Sequence, residues 1–126
     1  MSNKGINAER ELIHLFNKNR WMACRVAGSG SNHYPSPDVL AGNNLRKLAI
    51  ECKSTKERRQ YLTKKEVEEL RLFANTFGAE AWIAVRFNVL KWFFLNIEDL
   101  KETTLGFSIN IDSAKNKGLT FEEIIK

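Results

Sequence analysis

The feature that most constrains this chain is the alternation of side chains along residues 47–54, a run rich in β-forming residues. Apolar Leu48, Ile50 and Cys52 alternate there with Ala49, Glu51 and Lys53. Successive side chains of a strand point to opposite faces of the sheet, so Ile50 and Cys52 are expected to face the core. Glu51 and Lys53 then project side by side from the other face. The run therefore predicts a strand that carries a carboxylate next to an amine.

A second β-rich run at residues 38–41 precedes this strand, and Gly42-Asn43-Asn44 between the two runs is a hairpin turn signal. A turn near residues 42–45 would place Asp38 and Glu51 at the same end of neighbouring strands. Glu9 lies on the apolar face of a predicted helix, and we expect it to reach the same place from a helix packed on the sheet. Three acids and a lysine from separate segments are thus predicted to converge.

The remaining elements follow from periodicity and from turn and cap signals. Helices are predicted over 7–18, from the capping box Thr63–Glu66 to Gly78, and from Thr120 onward. Strands are predicted over 21–26, 38–41, 47–54, 81–87 and 91–96, and the Gly-, Ser- and Pro-rich residues 27–37 form a loop. This order predicts an α/β fold with a central mixed five-stranded β-sheet flanked by α-helices, as one domain of residues 1–126.

The distribution of charge is typical of a protein with a phosphate-rich partner. The chain has 20 Lys and Arg against 15 Asp and Glu, a net charge of +5. Residues 43–65 alone hold eight basic side chains, which are Arg46, Lys47, Lys53, Lys56, Arg58, Arg59, Lys64 and Lys65, against Glu51 and Glu57. Nucleic acid fits this pattern, with a merely solvated charged face as the alternative. A membrane surface would fit the same charge, but no basic amphipathic helix supports it.

Composition excludes several classes of protein. A chain that is 43% hydrophobic and 28% charged is an ordinary globular protein rather than a disordered one. Its two cysteines exclude a disulfide scaffold, and Cys24 and Cys52 are expected to be buried, reduced thiols. No apolar stretch approaches ~18 residues, and the first residues lack the apolar region of a signal peptide. We therefore expect no membrane attachment and a cytoplasmic, nucleoid-associated location.

The predicted cluster of Glu9, Asp38, Glu51 and Lys53 suits the hydrolysis of a phosphodiester. Mg²⁺ prefers oxygen ligands, activates water and neutralises charge on phosphate, and we expect Mn²⁺ to substitute for it. Three acids clustered without a metal would repel one another. A lysine beside them can orient or deprotonate the attacking water, or stabilise the developing charge.

A purely structural interpretation of the same residues stays open at this point. Glu51 and Lys53 would then be an exposed pair on an amphipathic strand. Asp38 would be a turn residue after Pro37, and Glu9 would be an acid that interacts with a helix dipole. The two interpretations differ in whether the four side chains meet.

The ordered motifs resemble a known family over nearly the full length of the chain. They are Lys4-Gly5, Glu9-Arg10-Glu11-Leu12, Arg25-Val26-Ala27-Gly28-Ser29, Pro37-Asp38-Val39-Leu40-Ala41-Gly42, Ile50-Glu51-Cys52-Lys53 and Trp92-Phe93-Phe94, with Phe73 and Phe77 near Gly78. Pro37-Asp38 followed by Glu51-Cys52-Lys53 resembles the motif of the PD-(D/E)xK nuclease superfamily. The chain as a whole is similar to the archaeal Holliday-junction resolvases of the Hjc type. The resemblance implies a restriction-endonuclease-like core. It also implies a structure-selective endonuclease that resolves four-way DNA junctions by paired symmetric nicks in opposing strands during recombination and repair.

The resemblance assigns roles to individual residues of the proposed cleavage site. Glu9, Asp38 and Glu51 match the family's metal-binding acids, and Lys53 matches its catalytic lysine. The backbone carbonyl of Cys52 would be a further metal ligand in the geometry usual for the superfamily. These assignments come from the resemblance and agree with the chemistry expected of the cluster.

The resemblance also implies residues that contact DNA. Arg10 and Arg25 match basic residues needed for DNA engagement or cleavage, and Ser29 matches a loop serine implicated in activity, with Ser31 as the alternative. The charge pattern adds Lys56, Arg58 and Arg59 to the residues expected to hold phosphates, within a basic segment that runs from residue 46 to residue 65. These contacts would not read bases, so selectivity would come from the shape of the junction.

Two aromatic residues of the second predicted helix match the family's dimer interface. They are Phe73 and Phe77, and a twofold homodimer would let two sites nick opposing strands. Helical periodicity favours a different interpretation, in which Val67, Leu70, Ala74 and Phe77 form one core stripe with Phe73 beside it.

Two other functions stay open: a related nuclease acting on other branched, damaged or linear DNA, and a non-catalytic DNA-binding module.

Overall fold

The structure, a computed structural model, describes residues 3–28, 33–88 and 91–126. The helices are α1 (Asn3–Lys18), α2 (Lys64–Phe77), α3 (Ile111–Lys117) and α4 (Phe121–Ile124), with one 3-10 turn at Ile97–Asp99. The strands are β1 (Met22–Arg25), β2 (Val39–Gly42), β3 (Lys47–Thr55), β4 (Arg59–Thr63), β5 (Glu80–Phe87), β6 (Trp92–Leu95), β7 (Lys101–Glu102) and β8 (Gly106–Asn110). No helix within these ranges is long and apolar enough to cross a membrane.

The central sheet has five strands in the order β1-β2-β3-β5-β6. Strands β3 and β5 run parallel, whereas β1 with β2, β2 with β3 and β5 with β6 are antiparallel. The predicted mixed five-stranded sheet is therefore confirmed. In the hairpin of β2 and β3, Val39 pairs with Ile50, so Asp38 lies beside the segment that carries Glu51.

Both faces of the central sheet are covered, and β3 contributes to two separate cores. Leu48 and Ile50 belong to the core under α1, together with Leu12 and Phe16 of that helix. Ala49 belongs to the core under α2. Glu51 and Lys53 are both half-buried, and Lys53 pairs with Glu66 rather than with Glu51, so the interpretation of Glu51 and Lys53 as an exposed pair is wrong.

The second helix has the boundaries that its cap signals predict. Thr63 is the N-cap and accepts a hydrogen bond from the backbone N–H of Glu66, and Gly78 ends the helix with a φ of 83°, which favours glycine. Val67, Leu70 and Ala74 are buried, but Phe77 is 50% exposed. Phe77, the last residue of α2, is therefore not part of the core stripe that helical periodicity favours.

A second sheet, in the order β4-β8-β7, was not predicted. Its strands are short, and β4 pairs with β8, which lies some 45 residues further along the chain. No local sequence pattern predicts a pairing between segments so far apart. Gly106 permits the close approach of these two strands, because a Cβ there would lie 2.4 Å from the carbonyl oxygen of Leu62. The sequence also did not reveal α3.

The two cysteines are free thiols, but their environments differ. Cys52 is half-buried against the core under α1, as expected, and burial, with the nearby carboxylates, raises the pKa of its thiol. Cys24 is exposed, contrary to expectation. Its strand, β1, lies at the edge of the sheet, and three of the four residues of that strand are exposed.

Candidate active site

The candidate site lies beside the C-terminal half of β3, where the hairpin brings Asp38 next to Glu51. The backbone N–H of Asp38 donates to the carbonyl oxygen of Ile50 at 3.0 Å, which continues the pairing of β2 and β3 by one residue. Its side chain accepts a hydrogen bond from the backbone N–H of Cys52 through Oδ2 at 2.8 Å. Two backbone contacts thus hold Asp38 against the strand that carries Glu51 and Lys53.

Glu51 is the most strongly perturbed acid of the cluster. Burial, followed by the negative charge of Asp38, raises the pKa of its carboxyl group to about 9, and Glu66 adds to the effect. Lys53 opposes the shift without cancelling it. Without a cation, Glu51 is therefore held in its protonated form at neutral pH and shares a hydrogen bond with Asp38.

Glu9 lies on α1, which covers the face of the sheet opposite to α2, and its carboxyl group interacts with Asp38. Burial raises the pKa of its carboxyl group, the charge of Asp38 adds to this, and the charge of Arg25 opposes it. The charge of Asp38 therefore acts on both Glu9 and Glu51 and raises the pKa of each. The convergence of all three acids around one cation stays a prediction.

Lys53 lies beside the acids and forms an ion pair with Glu66 of α2, with Nζ at 2.5 Å from Oε2. Burial acts to lower the pKa of Lys53, but the hydrogen bond to Glu66 and the charges of Glu66, Glu51 and Asp38 outweigh it and raise the pKa. Sequence reasoning identified Glu66 only as a helix-capping residue. Its spacing from Thr63 revealed the cap, but no local signal links Glu66 to Lys53, thirteen residues earlier.

The acids fit a divalent metal by their donor chemistry. Glu9, Asp38 and Glu51 offer carboxylate oxygens, the ligands that hard cations such as Mg²⁺ and Mn²⁺ take. Burial first, and then the charge of Asp38, raises the pKa of both Glu9 and Glu51, and a bound cation would offset both costs of ionisation. Within the described ranges, no three His, Cys, Asp or Glu side chains are already close enough to hold a metal ion. Binding would have to draw these side chains together.

The basic residues expected to contact DNA occupy different positions. Arg10, Arg25, Lys56 and Arg58 are exposed, whereas Arg59 is half-buried and donates from Nη1 to Oγ of Ser108 at 3.2 Å. Arg58 lies 3.4 Å from Asp112 in an exposed ion pair. Ser29 and Ser31 lie outside the described residues.

Arg46 differs from the rest of the predicted basic segment. Its guanidinium donates to both carboxylate oxygens of Glu80 at 2.8 Å and to the carbonyl oxygen of Ile124 at 2.6 Å. It also lies 5.4 Å from the ring centre of Trp21. This residue is engaged within the protein at the opposite end of β3 from Lys53, so the expectation that it holds phosphate is wrong.

The aromatic pair of α2 forms part of an apolar surface. Phe73 and Phe77 stack with ring centres 5.1 Å apart, and together with Pro35 and Leu72 they line a cavity of about 350 Å³. Phe77 also borders a groove of about 700 Å³ over β1 and β2 that includes Met22. Leu72, Phe77 and Met22 are 56%, 50% and 76% exposed. Contiguous exposed apolar residues of this kind are typical of an interaction surface.

A mixed sheet with Glu51 and Lys53 on one central strand, and with Asp38 held beside that strand, is the arrangement of the PD-(D/E)xK metal-dependent nucleases. The chain matches the family model described as archaeal Holliday junction resolvase (Hjc) over residues 1–126. It therefore belongs to the archaeal Holliday junction resolvases, as its motifs predicted.

Comparison with individual proteins agrees with this membership. The chain is 42% identical to the crossover junction endodeoxyribonuclease Hjc of Archaeoglobus fulgidus, over 98% of this chain and 90% of that protein. It is 38% identical to the crossover junction endodeoxyribonuclease Hje of Sulfolobus acidocaldarius, over 78% of this chain and 73% of that protein. The crystal structure of the Archaeoglobus fulgidus Hjc, a Holliday junction resolvase, superposes with a TM-score of 0.90 and 38% identity, covering 97% of this chain and 100% of that one. The restriction-endonuclease-like fold and the predicted enzyme class are confirmed.

Proposed function

We propose that this chain is a Mg²⁺-dependent crossover junction endodeoxyribonuclease that cuts four-way DNA junctions at the site formed by Glu9, Asp38, Glu51 and Lys53. The observation that carries the proposal is the position of Asp38, which is held against β3 and interacts with both of the other acids. The names of the relatives, all crossover junction endodeoxyribonucleases, support the same activity.

The proposed residues have different roles in phosphodiester hydrolysis. Glu9, Asp38 and Glu51 would hold the metal, with Mn²⁺ as a substitute, and the cation would supply an activated water and charge neutralisation. Asp38 is oriented for this role by its hydrogen bond from Cys52 N. Lys53 projects from the same strand as Glu51, where its ammonium can orient the attacking water or stabilise charge on the phosphate.

Phosphate contacts would bind the arms of the junction without reading their bases. Exposed Arg10, Arg25, Lys56 and Arg58, with half-buried Arg59, are the side chains proposed for these contacts, and Ser29 completes the proposed cleavage residues. Affinity that rests on such contacts falls steeply as salt rises, since phosphate neutralisation releases counterions. Action on chromosomal junctions would place the protein at the nucleoid.

A homodimer would match the twofold symmetry of paired nicks in opposing strands. The apolar surface around Phe73, Phe77, Leu72 and Met22 supports this assembly, because it combines exposed Phe77, stacked on half-buried Phe73, with exposed Met22 of the edge strand β1. Phe77→Ser is expected to convert the dimer to a monomer in sedimentation velocity runs at micromolar protein. A variant that still sediments as a dimer would contradict this interface.

The activity is tested by cleavage of a fixed four-way junction and of its linear arms, each over a titration of Mg²⁺ or Mn²⁺. The proposal expects paired nicks in the junction at metal concentrations that leave the linear duplexes intact. Equal cutting of the linear arms would indicate a related nuclease with another substrate. Absence of cleavage on every substrate in both metals would indicate a non-catalytic DNA-binding module.

A further inference from the structure

The carboxylate of Glu66 makes two contacts, one at the start of α2 and one with Lys53 of the candidate site, and uses a different oxygen for each. Its Oε1 accepts a hydrogen bond from the backbone N–H of Thr63 at 2.9 Å and closes the capping box. Its Oε2 accepts one from Nζ of Lys53 at 2.5 Å. The two bonds fix the plane of the carboxylate, so the helix start orients the group that binds the lysine.

The position of Lys53 makes such a partner necessary. A lysine side chain has four flexible methylene links, and the nearest other anions are the proposed metal ligands Glu51 and Asp38. A lysine without a counter-ion of its own would pair with those acids and compete with the cation for them. The pair with Glu66 is partly shielded from solvent, since only 24% of the Lys53 side chain and 30% of the Glu66 side chain are exposed.

We propose that Glu66 is a positioning residue that holds the Lys53 ammonium beside the cleavage site and away from the metal-binding acids. The proposal rests on the proposed function, because it assumes that Lys53 takes part in cleavage. Glu66 itself touches neither metal nor DNA in this scheme. It acts through Lys53, and the capping box of α2 supplies its orientation.

The variant Glu66→Gln separates positioning from helix capping. A glutamine is uncharged and has one acceptor oxygen in place of two, so Lys53 loses its anionic partner whichever contact that oxygen keeps. Glu123→Gln is a matched control, because Glu123 closes the same box with Thr120 at α4 through a bond of 2.8 Å and lies outside the site. Both variants should unfold within a few degrees of the parent protein.

Cleavage is measured in single turnover at saturating protein, and junction affinity is measured separately in Ca²⁺. Glu66→Gln is expected to lower the cleavage rate constant by about 10- to 100-fold with junction affinity unchanged, as for other residues that orient a catalytic group. Glu66→Ala should show at least the same loss, and Glu123→Gln should leave the rate constant unchanged. A Glu66→Gln rate constant equal to that of Glu123→Gln would overturn the proposal.

A second readout uses the metal-free protein and does not depend on cleavage. Proton–nitrogen correlation spectra of the lysine ammonium groups should contain a signal for Lys53, protected from exchange with water and absent from the spectrum of Lys53→Arg. The signal is expected to disappear in Glu66→Gln and to persist in Glu123→Gln. Its persistence in Glu66→Gln would overturn the proposal.

The same assays distinguish failure of this proposal from failure of the proposed function. Lys53→Ala is included in each cleavage series. If Lys53→Ala is inactive while Glu66→Gln cuts at the parent rate, only the positioning role is wrong. If Lys53→Ala also cuts at the parent rate, the assignment of the cleavage site is wrong.

Discussion

The two ends of β3 each hold a partly buried ion pair, and the comparison between them contrasts a structural pair with one at the proposed cleavage site. At the N-terminal end, Arg46 meets Glu80 through two hydrogen bonds of 2.8 Å, and Trp82 Nε1 donates to the same carboxylate at 3.0 Å. At the C-terminal end, the single amine of Lys53 lies among Asp38, Glu51 and Glu66. The first end is balanced in charge, and the second has an excess of acid.

The two ends consequently differ in the pKa of their glutamates. The hydrogen bond from Arg46 lowers the pKa of Glu80, and this outweighs partial burial. Burial and Asp38 raise the pKa of Glu51 from its ordinary value of 4.5 to about 9. One end therefore stabilises the fold with its charges ionised, whereas the other is destabilised by ionisation until a cation binds.

Stability should respond to pH with opposite signs at the two ends. Glu80 has a folded pKa below its unfolded value, so its stabilisation is present above 4.5 and is lost as the pH falls through the folded pKa. Glu51 has a folded pKa above its unfolded value, so the metal-free fold loses stability as the pH rises from 4.5 to about 9. The contribution of Glu80 to stability is therefore largest at high pH, and the metal-free environment of Glu51 is least destabilising at low pH.

The largest expected effect is on cleavage at the acidic end. Asp38→Ala should lower the cleavage rate at least ~1000-fold, because several kcal/mol of metal-derived stabilisation of the transition state are lost. Junction binding should remain, since the phosphate contacts are intact. Gel assays of cleavage and binding check both, with Glu80→Ala as the control that keeps the rate per folded molecule. Cleavage by Asp38→Ala at the parent rate would refute the site.

The next effect concerns the stability of the metal-free protein. Glu51→Gln should abolish cleavage and yet raise the free energy of unfolding at pH 8 by about 2–4 kcal/mol, because it removes a carboxyl group that burial and Asp38 keep from ionising. The gain should shrink toward zero as the pH falls to 4.5. Urea denaturation at several pH values measures it, and a variant less stable than the parent at pH 8 would contradict the assigned environment.

A smaller effect, a loss of stability, is expected at the N-terminal end of β3, where Arg46 pairs with Glu80. Arg46→Ala should lower the free energy of unfolding by about 1–2 kcal/mol, because it leaves Glu80 without its ion-pair partner and removes the bond to the Ile124 carbonyl oxygen. The cleavage rate of the folded protein should not change. Urea denaturation and single-turnover cleavage are the two measurements, and a selective loss of cleavage would show that the two ends are coupled.

The smallest effect is expected at an exposed ion pair that belongs to neither end. Arg58 and Asp112 lie 3.4 Å apart, with about three quarters of each side chain exposed. Asp112→Asn should change the free energy of unfolding by less than about 0.5 kcal/mol, because water and salt screen the pair. Urea denaturation in low and high salt tests this, and a loss above 1 kcal/mol would mean that burial is a poor guide to ion-pair strength in this fold.

Much of the candidate site could be predicted, because its signals are local. The alternation along residues 47–54, the turn at 42–44 and the cap at Thr63 each depend on a few neighbouring residues. The second sheet could not be predicted, since β4 and β8 are distant in sequence and short. The periodicity interpretation of Phe77 as a core residue and the phosphate-binding expectation for Arg46 were wrong for a related reason. Which helical residues are buried, and which carboxylate an arginine contacts, are decided by packing.

The sequence by itself determined which residue types stand where: an acid–x–lysine on a central strand, an aspartate before its hairpin partner and a capping glutamate on the helix that follows. Only the tertiary structure decided that Lys53 pairs with this glutamate, that Arg46 pairs with Glu80, and that Glu51 is held protonated. The physical reason is that the energy of a charge depends on its burial and on its distance to other charges. Both quantities arise when segments far apart in the chain pack together.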